Sequence, residues 1–117
     1  MNRSTLEAVT AAAAGRIEAD LVLKHARIVD VFSHRIVTGD IAVHSGYIAG
    51  IGTYKGKKEE DLQGAYVIPG LIDAHVHIES SLASPQQFSS AVIPFGTVSV
   101  IADPHEITNV LGEAGID

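Results

Sequence analysis

The stretch Leu71-Ile72-Asp73-Ala74-His75-Val76-His77-Ile78-Glu79 constrains this chain more than any other. Side chains on a strand point alternately to opposite faces. Written as a strand, the stretch puts Ile72, Ala74, Val76 and Ile78 on one face and Asp73, His75, His77 and Glu79 on the other. The first face suits a layer of packing helices. The second is ionisable from Asp73 to Glu79, and four such groups facing a protein interior are costly unless something satisfies them. A metal ion does so. Residues two apart on a strand have Cα atoms about 6.5–7 Å apart, and imidazoles from two such positions can converge on one ion at the usual Zn–N distance of ~2.0–2.1 Å. His75 and His77 are therefore the expected metal ligands. Glu79 is an expected catalytic or supporting carboxylate, able to ligate, to orient a His N–H or to contact substrate.

A second cluster, Ala102-Asp103-Pro104-His105-Glu106, falls where a later strand ends and a helix begins. In a parallel βα array, that end of the sheet is the one that carries active sites. Asp103, His105 and Glu106 are accordingly expected as catalytic residues beside His75 and His77. Asp103 and Glu106 have a second reading. Asp103 as N-cap, Pro104 at the first helical position and Glu106 soon after make a favourable helix start. Capping does not call for His105, which leans to the site.

Around these clusters the pattern divides the chain. Residues 1–18 read as a helix, with a Ser4/Glu7 capping box, a run of alanines and Gly15 as the stop. Residues 19–69 read as a small β-sandwich-like module. Short β-prone runs (Leu21–Leu23, Arg27–Val29, Arg35–Val37, Ile41–Val43, Tyr47–Ile51) are punctuated by Ser33-His34, Gly39-Asp40 and Ser45-Gly46. Their close spacing from Asp20 to Ile51 predicts antiparallel hairpins. The KGKKEED segment, Lys55–Asp61, reads as a solvated loop, and His25, His34 and His44 as surface or hairpin histidines. Residues 70–117 read as strand (Leu71–Ile78), helix (Ser84–Val92), strand (Thr97–Ala102) and helix (Pro104–Leu111), the order of a parallel βα array. Two βα units cannot cover both faces of a parallel sheet, so the expectation is the N-terminal part of a longer protein.

Composition removes several function classes. The 117 residues hold no Cys, which excludes disulfide scaffolds, thiolate zinc sites and Cys nucleophiles. The net charge of −6 disfavours nucleic acid or an anionic membrane as partner. No apolar run nears the roughly 20 residues of a membrane helix, and the N-terminus lacks a signal-peptide pattern. A cytoplasmic setting is expected.

The pattern Pro69-Gly70-Leu71-Ile72-Asp73-Ala74-His75-Val76-His77 after a small β-module resembles the amidohydrolase superfamily. The blocks His77-Ile78-Glu79-Ser80-Ser81 and Ala102-Asp103-Pro104-His105-Glu106-Ile107, followed by Asn109-Val110-Leu111-Gly112, resemble more narrowly its adenine deaminase family. The resemblance implies an α/β fold in which the antiparallel β-module is followed by the first two βα units of a TIM-type barrel, here incomplete. It implies a divalent metal cofactor, two ions of Mn or Fe with Zn also compatible, and adenine as the small-molecule substrate. It also implies later barrel strands carrying a bridging carboxylate, further His ligands and an Asp that handles protons. Glu79 suits a neutral substrate with N–H donors. An incomplete barrel exposes apolar strand and helix faces, which leaves homo-oligomerisation open.

Overall fold

The computed structural model describes residues 1–115. They form two compact units, Met1–Ile68 and a second beginning at Pro69.

The first unit opens with helix α1 (Arg3–Ala13). Its N-cap is Asn2, whose side chain accepts from the Thr5 N–H, rather than the expected Ser4. The Ser4 hydroxyl instead donates to the same Asn2 oxygen. The end is as expected. Gly15 takes φ +67°, its N–H bonds to the Ala12 carbonyl, and the Arg16 N–H bonds to that of Ala11. This is the paired closure that a left-handed glycine permits.

Strands β1 (Ala19–Asp30), β2 (Arg35–His44), β3 (Tyr47–Gly52), β4 (Gly56–Asp61) and β5 (Tyr66–Val67) follow. β1 pairs antiparallel with β2, and β2 with β3, so the hairpins expected between Asp20 and Ile51 are present. The rest departs from expectation. β4 and β5 pair with β1 in parallel, which makes one mixed five-stranded sheet of order β3-β2-β1-β4 in place of a sandwich. The charged Lys55–Asp61 segment is not a loop but contains edge strand β4, largely exposed. Its charges are what protects an edge strand from pairing with another chain. Gly56 is required there, since a Cβ would lie 2.7 Å from Val22 Cγ2 across the parallel pair.

Gly39-Asp40 is not a turn either. The pairs Leu23↔Ile41 and Ala26↔Gly39 bracket a β-bulge in which Lys24 and His25 oppose Asp40. The bulge explains how two short β-prone runs fuse into one 12-residue strand. His25 adopts φ +55°, and its N–H donates to Asp40 Oδ1 (3.2 Å). Asp40 also accepts from Lys24 Nζ and the Tyr54 N–H. The small core lies on either side of this bulge, with Ala19, Val22 and Ala42 in one cluster and Ala26, Ile28 and Ile41 in the other. His44, expected at the surface, is buried, 3.4 Å from Asp20 Oδ2 at the end of β2.

Four carboxyls of this unit titrate below their ordinary value. The Lys57 ammonium does this for Asp20, the Ser33 hydroxyl for Asp30 and the Gln63 N–H for Asp61. At Asp40 burial pushes the carboxyl up, and the bonds from Lys24, His25 and Tyr54 together outweigh it. A carboxyl depressed in the folded state binds fewer protons there than when unfolded. Its stabilisation is complete above the unfolded value of about 3.8 and is lost as pH falls through the lower folded values. Thermal melts followed by circular dichroism are expected to be level from neutrality to about pH 5, with the midpoint dropping below about pH 4.

The second unit comprises β6 (Leu71–Val76), α2 (Pro85–Val92), β7 (Thr97–Ala102) and α3 (His105–Leu111). β6 and β7 are parallel, with Leu71↔Thr97 and Val76↔Ala102 in register. Gly70 stands where a Cβ would meet Val98 Cγ2 at 2.2 Å, which accounts for the glycine ahead of the strand. α2 starts with the expected Ser84/Gln87 capping box and Pro85 in its first turn. α3 does not start as expected. Pro104 occupies the cap position, and neither it nor Asp103 caps through a side chain.

Candidate metal centre

The β6 ladder stops at Val76, so His77 is the first residue past the strand, not a member of it. A bond from the Asp103 N–H to the Val76 carbonyl (3.4 Å) prolongs the contact between the two strands by one residue. It brings together the residues that leave the C-terminal ends of β6 and β7. His77 and Asp103 are thus neighbours because parallel strands end side by side, and His105 joins them as the first residue of α3.

The rings of His75 and His77 stand 4.9 Å apart in an edge-on arrangement, and those of His77 and His105 5.1 Å apart in the same way. Asp103 Oδ2 lies 3.1 Å from His105 Nδ1. Ligand atoms of His77, Asp103 and His105 all lie within 4.8 Å of one another. Ligands on one ion at ~2.1 Å are about 3–4 Å apart, so small side-chain rotations close this set. The donor chemistry fits a divalent ion of borderline hardness. So does one orphaned atom: His77 Nδ1 is buried and has no hydrogen-bond partner among the described residues. Such an atom is costly unless a ligand takes its lone pair or proton.

The sequence-expected residues fall into three groups. His77, Asp103 and His105 converge. His75 is exposed and touches the cluster through the His77 ring, and its N–H donates to Asp73 Oδ1 (3.1 Å). Glu79 and Glu106 stand apart from the convergent set, Glu106 exposed in the first turn of α3. Of the two readings open for Asp103, the geometry shows the carboxylate turned to His105 and not to the helix backbone. A contact that pattern reasoning missed is the bond from the Ile107 N–H to Glu79 Oε1, 3.3 Å long and spanning 28 residues. No local motif announces it.

One signal was present in the sequence and decides the electrostatics. All eight Lys and Arg lie before residue 69, matched there by eight Asp and Glu. From residue 69 onward there are six carboxylates and no Lys or Arg. The whole net charge of −6 therefore belongs to the part of the chain that carries this cluster. Such a field attracts cations and disfavours anionic ligands. Beside the cluster opens a cavity of about 450 Å³, its walls including Ile78, Glu79, Ser84, Ala102, Pro104 and Ile107.

Residues 66–117 match the description "Amidohydrolase family". Over that segment the chain is similar to the amidohydrolase family. Among curated proteins, the chain is 52% identical over 117 residues to "Adenine deaminase 2" of Desulfotalea psychrophila, covering all of this chain and 20% of the relative. It is 56% identical over 118 residues to "Adenine deaminase" of Ligilactobacillus salivarius, with the same coverage of each. The chain thus spans about a fifth of the length of the curated relatives it matches. Among solved structures it is similar to the L-hydantoinase (dihydropyrimidinase) of Arthrobacter aurescens. The TM-score is 0.59 and the identity 26%, over 74% of this chain and 21% of that one. No helix among the described residues is long and apolar enough to cross a membrane.

Proposed function

We propose that this chain supplies the first part of a metal-dependent enzyme that hydrolyses adenine to hypoxanthine and ammonia. The observation that carries the reading is the convergence of His77, Asp103 and His105 in a unit without a single Lys or Arg. The high identity to adenine deaminases supports the substrate. In this reading β6 and β7 are the first strands of a TIM-type barrel. Manganese or iron, purine salvage and a cytoplasmic setting go with it.

His75 and His77 on one strand end, with Asp103 and His105 on the next, are the residues that would hold the ion. When bound, a divalent ion supplies Lewis acidity and makes water a nucleophile at neutral pH. The residues of this chain do the positioning. Asp103 Oδ2, 3.1 Å from His105 Nδ1, holds that ring beside the site. The apolar walls of the 450 Å³ cavity suit a flat, uncharged heterocycle. Glu106, exposed beside His105, is free to meet substrate. Overall, water adds at C6 of the purine ring, the C6–N bond breaks, and the amine leaves as ammonia after taking up a proton.

The test is hypoxanthine and ammonia release from adenine. The chain extended to the length of its relatives and loaded with Mn²⁺ or Fe²⁺ is expected to turn over. The 117-residue chain alone is expected to be silent, because three convergent groups do not close a two-ion shell. The likeness to the hydantoinase favours a second reading, hydrolysis of a cyclic amide. Turnover of a dihydropyrimidine by the extended enzyme, with none of adenine, would move the function there.

A further inference from the structure

We infer that Glu79 is a positioning residue, whose carboxylate serves as a detached N-terminal cap for α3 and thereby sets where His105 stands beside His77. The first N–H groups of a helix have no partner within it. The usual solution is a side-chain oxygen at the cap position, bonded to the N–H of the second or third helical residue. α3 lacks that solution, since Pro104 has no polar side chain and Asp103 is engaged with His105 Nδ1. The N–H of Ile107, the third residue of α3, goes instead to Glu79 Oε1 at 3.3 Å, in a partly buried bond. An acidic group at this end of a helix also meets the favourable end of the backbone dipole.

Glu79 is two residues past His77, in a short 3-10 turn (Glu79–Ser81) that is itself pinned. The Ser80 N–H bonds to the His77 carbonyl, the Ser81 hydroxyl to that of Ile78, and the Leu82 N–H to that of Glu79. The carboxylate therefore joins the segment that bears His77 to the helix that begins with His105. Glu79 does not belong to the convergent ligand set. It acts on that set through the helix, with the two rings held 5.1 Å apart. The inference rests on the metal reading only for its consequence. The tether itself is independent of any activity.

Two measurements on the 117-residue chain test it. Amide exchange of Ile107 reads the tether, and Mn²⁺-induced broadening of the His77 and His105 ring resonances reads the placement. Glu79→Gln keeps an oxygen acceptor in the same place, and Glu79→Ala removes it. Exchange at Ile107 is expected to be at least ~10-fold faster in Glu79→Ala and within ~3-fold of the parent in Glu79→Gln. Mn²⁺ affinity should fall about 10-fold in the alanine variant, with the two rings no longer broadened together, and recover in the glutamine variant. Unchanged exchange at Ile107 in Glu79→Ala would overturn the inference. So would a glutamine variant as impaired as alanine in either measurement, which would make Glu79 a ligand or proton carrier. Should the alanine variant fail to fold, Ile107 protection in Glu79→Gln decides alone. Absence of Mn²⁺ broadening in the parent chain would count against the metal reading, while Ile107 exchange would still judge the tether.

Discussion

His77→Ala, made in an enzyme extended to the length of the relatives, is expected to lower kcat/KM for adenine by at least about a thousandfold. Loss of a partner that merely supports a ligand commonly costs 10–100-fold in metal affinity or activity, and His77 is more central than that. Its ring stands between those of His75 and His105, and its buried Nδ1 has no partner among the described residues. Removing the ring takes away the imidazole that contacts both neighbouring rings. Metal content after dialysis should fall in parallel with activity. His34→Ala, in an exposed turn at φ +56°, is the control that leaves both unchanged. A loss below tenfold for His77→Ala would show that the ion, if one binds, is held elsewhere.

Asp40→Ala is expected to be the most damaging single change to the first unit, by about 3 kcal/mol. The substitution strands the N–H groups of His25 and Tyr54 and leaves the Lys24 ammonium, whose side chain is 20% exposed, without its counter-charge and with the Tyr54 carbonyl as its remaining acceptor. It also releases the bulge at His25, a non-glycine residue at φ +55° that those bonds hold in place. For a unit of this size each kcal/mol moves the melting midpoint by about 4–8 °C, so a drop of roughly 15 °C is expected. Asp40→Asn, which keeps an acceptor but loses the charge opposite Lys24, should fall between. A shift under about 3 °C for Asp40→Ala would mean that water replaces these bonds at little cost.

The second unit was the more legible of the two. Its strands and helices follow from period-two alternation and from Ser84-Pro85, because local chemistry sets them. The convergence of the two clusters followed from one topological fact, that parallel strands end on the same side. What escaped was longer in range. β4 is charged and reads as a loop by composition, but a hydrogen-bonding edge on β1 recruits it, and backbone pairing of this kind leaves little trace in side chains. Gly39-Asp40 reads as a turn because Asp and Gly favour turns. Here the same Asp is used as an acceptor inside a bulge, and the choice between the two depends on Lys24 and Tyr54, 16 and 14 residues away. Asp103 was legible as a cap and as a site residue, and only the placement of Glu79 beside Ile107 frees it from capping.

β1 is the strand on which the first unit is assembled, and its partners arrive at different times. β2 folds back across a short turn, but β4 pairs through Ala19↔Gly56 and β5 through Arg27↔Tyr66, contacts that close loops of nearly forty residues. Closing such loops is slower than zipping a hairpin, and it cannot begin before the later segment exists. During synthesis, a chain that has emerged only as far as β3 holds a three-stranded ribbon with one side of its 12-residue β1 unpaired. Unpaired strand edges of this kind recruit other chains. The first unit is therefore most vulnerable to aggregation in the interval before Tyr66 and Val67 appear. A pause in translation within that interval would prolong the vulnerability, whereas one just after Ile68 would let the sheet close before the second unit is made.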